Sequence, residues 1–173
     1  MNWYVIDKAY IKYLMQFDDR VAYIEYGERL KLHVGIVLTI GQYNYYIPIS
    51  SPKQKHQKMA NCLDFHKLKD NNTGEIYAVL NINNMIPVPD DCLEQLKYNN
   101  IEEFRVFSNE KEKTDYIYLL QKEKALIDSV QNILMSKAKK LYEKCMTNPN
   151  SALAARCCKF KMLEKKSILY NAE

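Results

Sequence analysis

Runs of β-branched and aromatic residues in the first half of the chain predict a sheet of short strands. Leu32 to Ile40 and Tyr43 to Ile49 flank a short turn and predict one hairpin. Leu63 to Leu68 and Ile76 to Ile82 flank a cluster of Asp, Asn, Thr and Gly, which predicts a second hairpin. Consecutive hairpins of this kind build an antiparallel sheet.

The second half of the chain has helical periodicity. Ser108 can cap a helix from about Asn109 to Met146, because neither glycine nor proline interrupts this stretch and apolar residues recur three or four positions apart. Asn148-Pro149-Asn150 ends it, and a further helical piece follows. An earlier amphipathic helix is predicted from Lys8 to about Phe17. Together these elements predict an α+β fold in a single domain, residues 1–173.

The composition is that of a folded protein without metal or disulfide support. Apolar residues make up 47% and charged residues 27% of the 173 residues. The five cysteines form no C-x-x-C pair and no secretory signal precedes them, so we expect free thiols, a cytoplasmic location, and no metal site. No apolar run approaches the roughly 18 to 20 residues of a bilayer-crossing helix, so no membrane partner is expected.

Positive charge is concentrated towards the C-terminus. The net charge of the chain is only +4, but residues 137–166 carry nine lysines or arginines against two glutamates. This asymmetry favours an anionic partner, although lysines on long helices are often simply solvated. The candidate RNA-binding residues of this basic tail are Arg156, Lys159, Lys161, Lys165 and Lys166.

A second cationic stretch follows the strand that ends near Ile49. Ser50, Ser51 and Pro52 are expected to form a turn, and Pro52 disfavours helical backbone at the residue before it, so the hydroxyls should face outward. Neighbouring lysines repel one another, and water or a bound phosphate relieves that repulsion. A solvated basic loop is the alternative to a phosphate-binding one. The titratable or cationic side chains of this loop are Lys53, Lys55, His56 and Lys58.

Metal-independent RNA cleavage fits these residue types. The 2′-hydroxyl of the substrate attacks the neighbouring phosphate, so the protein has only to align groups, move protons and stabilise charge. Hydroxyls and loop amides can hold phosphate oxygens, lysine supplies positive charge, and tyrosine, present fourteen times, can position a base. Ser50 and Lys53 also match the S-x-x-K pattern of penicillin-binding enzymes, but the S-D-N and K-T-G partners are missing from the sequence.

Five short segments resemble the ToxN/AbiQ family of type III toxin-antitoxin systems, in the same order along the chain. They are YVIDKAYIKYLMQFD (residues 4–18), VGIVL (34–38), PISSPK (48–53), NMIPVP (84–89) and CKFKMLE (158–164). The resemblance implies a sequence-selective endoribonuclease toxin that leaves a 2′,3′-cyclic phosphate. It also implies inhibition by a repeated, pseudoknotted small RNA, in a closed ring of alternating protein and RNA, and a barrel-like sheet similar to the Kid/MazF toxins with added helices.

The same resemblance assigns catalytic positions. The hydroxyl pair and lysine after the strand correspond to Ser50, Ser51 and Lys53, and an upstream lysine corresponds to Lys31. The upstream tyrosine corresponds to Tyr26 only after a shift of one residue, because unshifted spacing places a glycine there. Core packing is the alternative role for Tyr26, and a solvated strand edge is the alternative for Lys31. RNA contacts are expected from Lys55, His56 and Lys58.

Two other classes of function compete with the endoribonuclease. A noncatalytic RNA-binding module would use the loop and tail for phosphates and the tyrosines for bases. A protein-interaction scaffold built on the long helix would lack strong, salt-dependent RNA binding. No DNA partner is expected.

Overall fold

The computed structural model of the chain describes residues 1–21, 25–26 and 29–170, and for residues 25–26 and 29–30 it describes the backbone alone. The strands are β1 (Asn2–Ile6), β2 (Glu25–Tyr26), β3 (Arg29–Leu30), β4 (Leu32–Ile40), β5 (Tyr43–Ser50), β6 (Phe65–Lys69), β7 (Ile76–Asn81), β8 (Ile86–Pro87) and β9 (Leu93–Gln95). The α-helices are α1 (Lys8–Met15), α2 (Gln54–Lys58), α3 (Glu110–Thr147), α4 (Ala152–Ala155) and α5 (Phe160–Leu169).

Seven strands form one antiparallel sheet in the order β6-β7-β5-β4-β1-β9, with β8 beside β5. Both predicted hairpins, β4–β5 and β6–β7, are confirmed. The first turns at Gly41, whose φ of 57° costs glycine little. The predicted barrel-like closure is wrong for the described strands, because closure needs a ladder between the edge strands, and β6 and β9 lie at opposite ends of the strand order.

The predicted helices are also present. Asp7 caps α1 by accepting a hydrogen bond from the Tyr10 amide at 2.9 Å. Asn109, rather than Ser108, caps α3, since its Oδ1 accepts from the Glu112 amide at 2.9 Å. The 38 residues of α3 extend for about 57 Å, and this helix packs along β4, β6 and β7.

One apolar cluster joins the sheet to α3. It combines Leu32 and Val34 of β4 and Ile47 of β5 with Leu120 and Ile127 of the helix, all at most 7% exposed. All five cysteines are free thiols, as predicted. Among the described residues, no helix is both long enough and apolar enough to cross a membrane.

Strand β5 connects two different surroundings. Near its beginning, the Tyr45 ring lies 5.9 Å from the rings of Tyr142 in α3 and Phe160 in α5. At its end, Ser50 lines a cavity together with Tyr116 from the first half of α3. The strand therefore holds Ser50 in place by anchoring its other end in the aromatic core.

Candidate active site

Lys31 and Ser50 meet where two adjacent strands end. Lys31 directly precedes β4 and Ser50 is the last residue of β5, and the antiparallel pairing of these strands brings Lys31 Nζ to 2.5 Å from Ser50 Oγ. Asn81, the last residue of β7, donates from Nδ2 to the same oxygen at 3.4 Å. The Ser50 hydroxyl is thus held from both sides of β5, by Lys31 just before β4 and by Asn81 at the end of β7.

Lys31 is poised for proton transfer. Its side chain is largely buried, with the residue 8% exposed. Burial, and to a smaller degree the nearby charge of Lys53, lower the pKa of Lys31 to about 8. Both protonation states are therefore accessible near neutral pH, which suits a group that gives or takes a proton. The solvated strand-edge role considered for Lys31 does not fit this burial.

A short cap holds the backbone of Lys53 beside this pair. The Lys53 amide donates to His56 Nδ1 at 2.9 Å, and the His56 amide donates to the Lys53 carbonyl at 2.8 Å. His56 is buried with its ring 5.5 Å from that of Phe65, and burial is the main cause that lowers its pKa. These contacts favour a positioning role over the RNA contact predicted for His56. Lys55 and Lys58 lie exposed on α2.

We refer to four residues at the end of β5 as the strand-end cluster: Lys31, Ser50, Ser51 and Lys53. They line one side of a cavity of about 320 Å³. The opposite side comes from α3 and the segment before it, including Arg105, Tyr116, Leu120 and Glu123. The cavity thus joins a cationic, hydroxyl-bearing side, suited to a phosphate, to a mostly apolar wall.

Glu123 and Arg105 bring unsatisfied polar groups to that wall. Glu123 is 7% exposed, has no hydrogen-bond or ion-pair partner in the described part of the chain, and burial raises its pKa to about 8. Arg105 pairs with Glu112 at 2.6 Å and stacks 4.3 Å from the Tyr116 ring centroid. Its Nε is nevertheless buried without a hydrogen-bond partner among the described residues.

The sequence predictions missed several residues of this site. Asn81 lies next to the end of the predicted strand Ile76 to Ile82, but its approach to Ser50 depends on strand order. Glu123 carried a usable signal: it lies three residues after Leu120 and four before Ile127, on the apolar face of the predicted helix. A charged residue in that position departs from the expected pattern, and this departure would have identified it.

The structure does not test the prediction for Tyr26. Its backbone lies in β2, paired with Arg29 of β3, but its side chain is outside the described part of the structure. The catalytic role assigned to Tyr26 therefore stays a prediction.

The basic tail lies away from the strand-end cluster. Lys161 Nζ pairs with Glu164 at 2.9 Å, and the same glutamate accepts a hydrogen bond from Tyr45. Because Tyr45 precedes Ser50 by five residues along β5, the two positions are separated by about 17 Å. Lys161 thus lies at the other end of the strand from the cluster.

The other tail residues differ in how firmly they are held. Arg156 pairs with Asp64, and Lys166 Nζ lies 3.9 Å from the ring centroid of Phe17. Lys159 and Lys165 are exposed. These two lysines are the tail side chains most open to an incoming phosphate.

Comparisons with known proteins agree with the resemblance seen in the sequence. The profile of the family described as "Toxin ToxN, type III toxin-antitoxin system" matches residues 2–167. The chain is 27% identical to the endoribonuclease AbiQ of Lactococcus lactis subsp. lactis, over 99% of this chain and 90% of that protein. It is 28% identical to the endoribonuclease ToxN of Pectobacterium atrosepticum, over 96% of this chain and 91% of that protein.

A solved structure supports the same relationship. It comes from a bacterial antiviral system that a processed non-coding RNA regulates, and it superposes with a TM-score of 0.84 at 28% identity. The superposition covers 99% of this chain and 100% of the solved one. Both the sequence and the fold are therefore matched over nearly their whole length.

Proposed function

The chain belongs to the ToxN family of type III toxin-antitoxin systems, and on that premise we propose that it is a sequence-selective endoribonuclease toxin that needs no metal ion. The relatives AbiQ and ToxN bear the name endoribonuclease. The observation that carries the proposal is the contact between Lys31 and Ser50, which line the cavity together with Ser51 and Lys53. These residues supply hydroxyls and positive charge at one point.

The proposed reaction is an internal transesterification of RNA. The bond between the 2′-oxygen and phosphorus forms as the bond to the 5′-oxygen breaks, which leaves a 2′,3′-cyclic phosphate and a 5′-hydroxyl. Ser51 and Lys53 stabilise the charge that develops on the phosphate oxygens. Lys31, in its protonated form, gives its proton to the departing 5′-oxygen, and Tyr26 is the candidate for relaying the proton of the 2′-hydroxyl.

The donor groups at this site support a reaction without metal. In the described part of the chain, no three side chains of the types His, Cys, Asp and Glu lie close enough together to hold a metal ion. Catalytic metal sites use such ligands, and the strand-end cluster consists of lysines and serines. The positive charge that a metal would supply is here provided by Lys53.

We propose that the inhibitor of this toxin, like its substrate, is an RNA. The proposed partner is a repeated, pseudoknotted small RNA that closes a ring with alternating toxin subunits, in the cytoplasm and as part of phage defence. A solved relative belongs to an antiviral system regulated by a processed non-coding RNA. Lys159 and Lys165, exposed on the tail, are the residues proposed to contact it, because phosphate contacts supply most of such affinity. The resemblance of the fold to the Kid/MazF toxins stays a prediction, which superposition on those toxins would test. The organisation of the chain as a single domain also stays a prediction.

Cleavage of a long RNA in the presence of EDTA tests the proposal. We expect cleavage to continue at full rate, new ends to carry a cyclic phosphate, and a deoxy substitution at the cut site to abolish it. Cleavage that returns only with added magnesium would overturn the metal-free mechanism. Salt-dependent RNA binding without any new ends would instead favour a noncatalytic RNA-binding module.

A further inference from the structure

The wall of the cavity formed by α3 has no role in the reaction just described. Transesterification needs the strand-end cluster, whereas this wall lies opposite it and includes the apolar side chains of Leu119 and Leu120. Leu32 of β4 and Ile49 of β5 add apolar surface from the sheet. The volume of the cavity, about 320 Å³, falls in the range of about 300 to 1,000 Å³ typical of small-molecule sites. A flat ring carried by the ribose next to the reacting phosphate can occupy such a space.

Two polar groups in this wall lack partners. Glu123 is 7% exposed and, within the described residues, forms neither a hydrogen bond nor an ion pair. Arg105 Nε is buried and also lacks a hydrogen-bond partner there. A buried polar group without a partner is destabilising, and a ligand that enters the cavity could satisfy both groups.

Arg105 and Tyr116 also provide a flat surface. The guanidinium lies 4.3 Å from the Tyr116 ring centroid and 5.1 Å from that of Phe107, and a 2.6 Å ion pair with Glu112 holds it there. Proteins recognise single-stranded RNA by stacking unpaired bases on aromatic rings and arginine planes and by hydrogen bonds to base edges.

We propose that this cavity binds the nucleobase next to the cleaved phosphate, and that Glu123 determines base preference by hydrogen bonding to the edge of that base. This inference rests on the proposed function. A protonated carboxyl offers an O–H donor next to a carbonyl acceptor. Nucleobase edges carry adjacent donors and acceptors, so a neutral Glu123 can form a paired contact with one of them.

Burial agrees with the neutral form, because it raises the pKa of Glu123 to about 8. Glutamine offers the same donor and acceptor without a charge, and leucine offers neither. The pair Glu123→Gln and Glu123→Leu therefore separates hydrogen bonding from volume. Gln121→Leu is the matched control, because Gln121 is exposed on the same helix and does not line the cavity.

The test is the nucleotide preference of cleavage, mapped by sequencing the new ends made by each purified variant in a random-sequence RNA. At one position beside the cut we expect Glu123→Leu to lose about tenfold or more of the preference of the unmodified protein. Glu123→Gln and Gln121→Leu should retain it. Unchanged preference in a folded Glu123→Leu protein overturns the proposal.

Abasic substrates give a second measurement that does not depend on sequence preference. Removing the base at that position should slow the unmodified protein about tenfold, and should slow Glu123→Leu much less, because the variant has already lost the contact. Equal slowing of both proteins overturns the inference. Should Glu123→Leu fail to fold, Glu123→Met replaces it in both assays. If the unmodified protein makes no cuts at all, the proposed function fails and this inference fails with it, whereas normal cutting with unchanged preference rejects the inference alone.

Discussion

Two buried glutamates at the two ends of β5 have opposite surroundings. Glu164, 2% exposed, accepts hydrogen bonds from Tyr45 at 2.8 Å and Tyr142 at 2.6 Å, and pairs with Lys161 at 2.9 Å. Glu123, 7% exposed, has none of these contacts within the described residues. The carboxylate of Glu164 is fully used inside the protein, whereas the carboxyl group of Glu123 has no protein partner among the described residues.

The difference between these surroundings distinguishes a structural role for Glu164 from a binding role for Glu123. A buried charge with several donors stabilises a unique arrangement, here the junction of β5, α3 and α5. A buried carboxyl with no donor destabilises the fold, and such a group is typical of binding sites. The same residue type therefore has a structural role at the Tyr45 end of β5 and, we infer, a binding role at the Ser50 end.

The largest expected effect is on catalysis at the Ser50 end. A double variant, Ser51→Ala with Lys53→Ala, removes two contacts to the transition state and should slow RNA cleavage by on the order of 1,000-fold or more. Circular dichroism and thermal melting should be unchanged, because both residues are exposed. A folded double variant that cleaves at the normal rate would show that the strand-end cluster is not the active site.

Stability should respond most strongly at the Tyr45 end. Glu164→Ala leaves two buried tyrosine hydroxyls without their acceptor, and we expect it to destabilise the fold by about 3 to 5 kcal/mol, measured by urea unfolding. Glu164→Gln, which keeps one acceptor oxygen, should have a smaller effect. Equal and negligible effects of both variants would contradict the structural role of Glu164.

Replacing Glu123 should have the opposite effect on the free energy of unfolding to replacing Glu164. Its pKa is raised from 4.5 to about 8 in the folded state, so between these values the folded protein holds more protons than the unfolded chain. Stability contributed by this group is therefore present below about pH 4.5 and is lost as pH rises to about 8. Glu123→Gln should remove this loss and stabilise the protein at pH 8, by on the order of a few kcal/mol.

Unfolding experiments at pH 5 and pH 8 would measure this difference. Glu143→Gln is the matched control, because Glu143 is exposed on the same helix. An identical pH dependence for Glu123→Gln and the unmodified protein would mean that Glu123 is not buried as a neutral acid.

The rate of cleavage should depend on the protonation of Lys31. Because burial lowers its pKa to about 8 and the protonated form gives the proton, the rate should fall about tenfold per pH unit above that value. Lys53 is the charged neighbour that contributes to this pKa, so Lys53→Gln should move the fall to higher pH in the residual activity. A rate that rises through pH 8, after subtraction of uncatalysed cleavage, would instead make neutral Lys31 the base.

The smallest effect is expected at the exposed tail. Lys159→Gln with Lys165→Gln should weaken binding of the inhibitory RNA and reduce the slope of log affinity against log salt by roughly one unit for each lost contact. Lys111→Gln, a change of an exposed lysine at the start of α3, should leave both quantities unchanged. Unchanged affinity and slope in the tail variant would place the RNA elsewhere.

Local patterns in the sequence determined most of the secondary structure. Alternation and turn residues predicted the β4–β5 and β6–β7 hairpins, and apolar spacing predicted α3, because these signals depend on neighbours along the chain. The expected cap of α3 was wrong by one residue, since Ser108 and Asn109 are both good capping residues and only the backbone geometry selects between them. Barrel closure could not be predicted from residues that are neighbours along the chain, because it depends on which strands form the edges of the sheet.

In the candidate site, too, the sequence predicts some of the residues, and the tertiary structure decides which groups come into contact. Ser50, Ser51 and Lys53 lie within four consecutive residues, so the sequence alone predicts a candidate phosphate-binding loop, and the resemblance added Lys31. The contact of Lys31 with Ser50, the approach of Asn81, and the cavity with Glu123 were decided by the tertiary structure. The reason is physical, because these groups come from the residue before β4, from β5 and β7, and from α3, which are far apart in the sequence. Their proximity, and the burial that shifts the pKa values of Lys31 and Glu123, exist only once the strands pair and the helix packs on them.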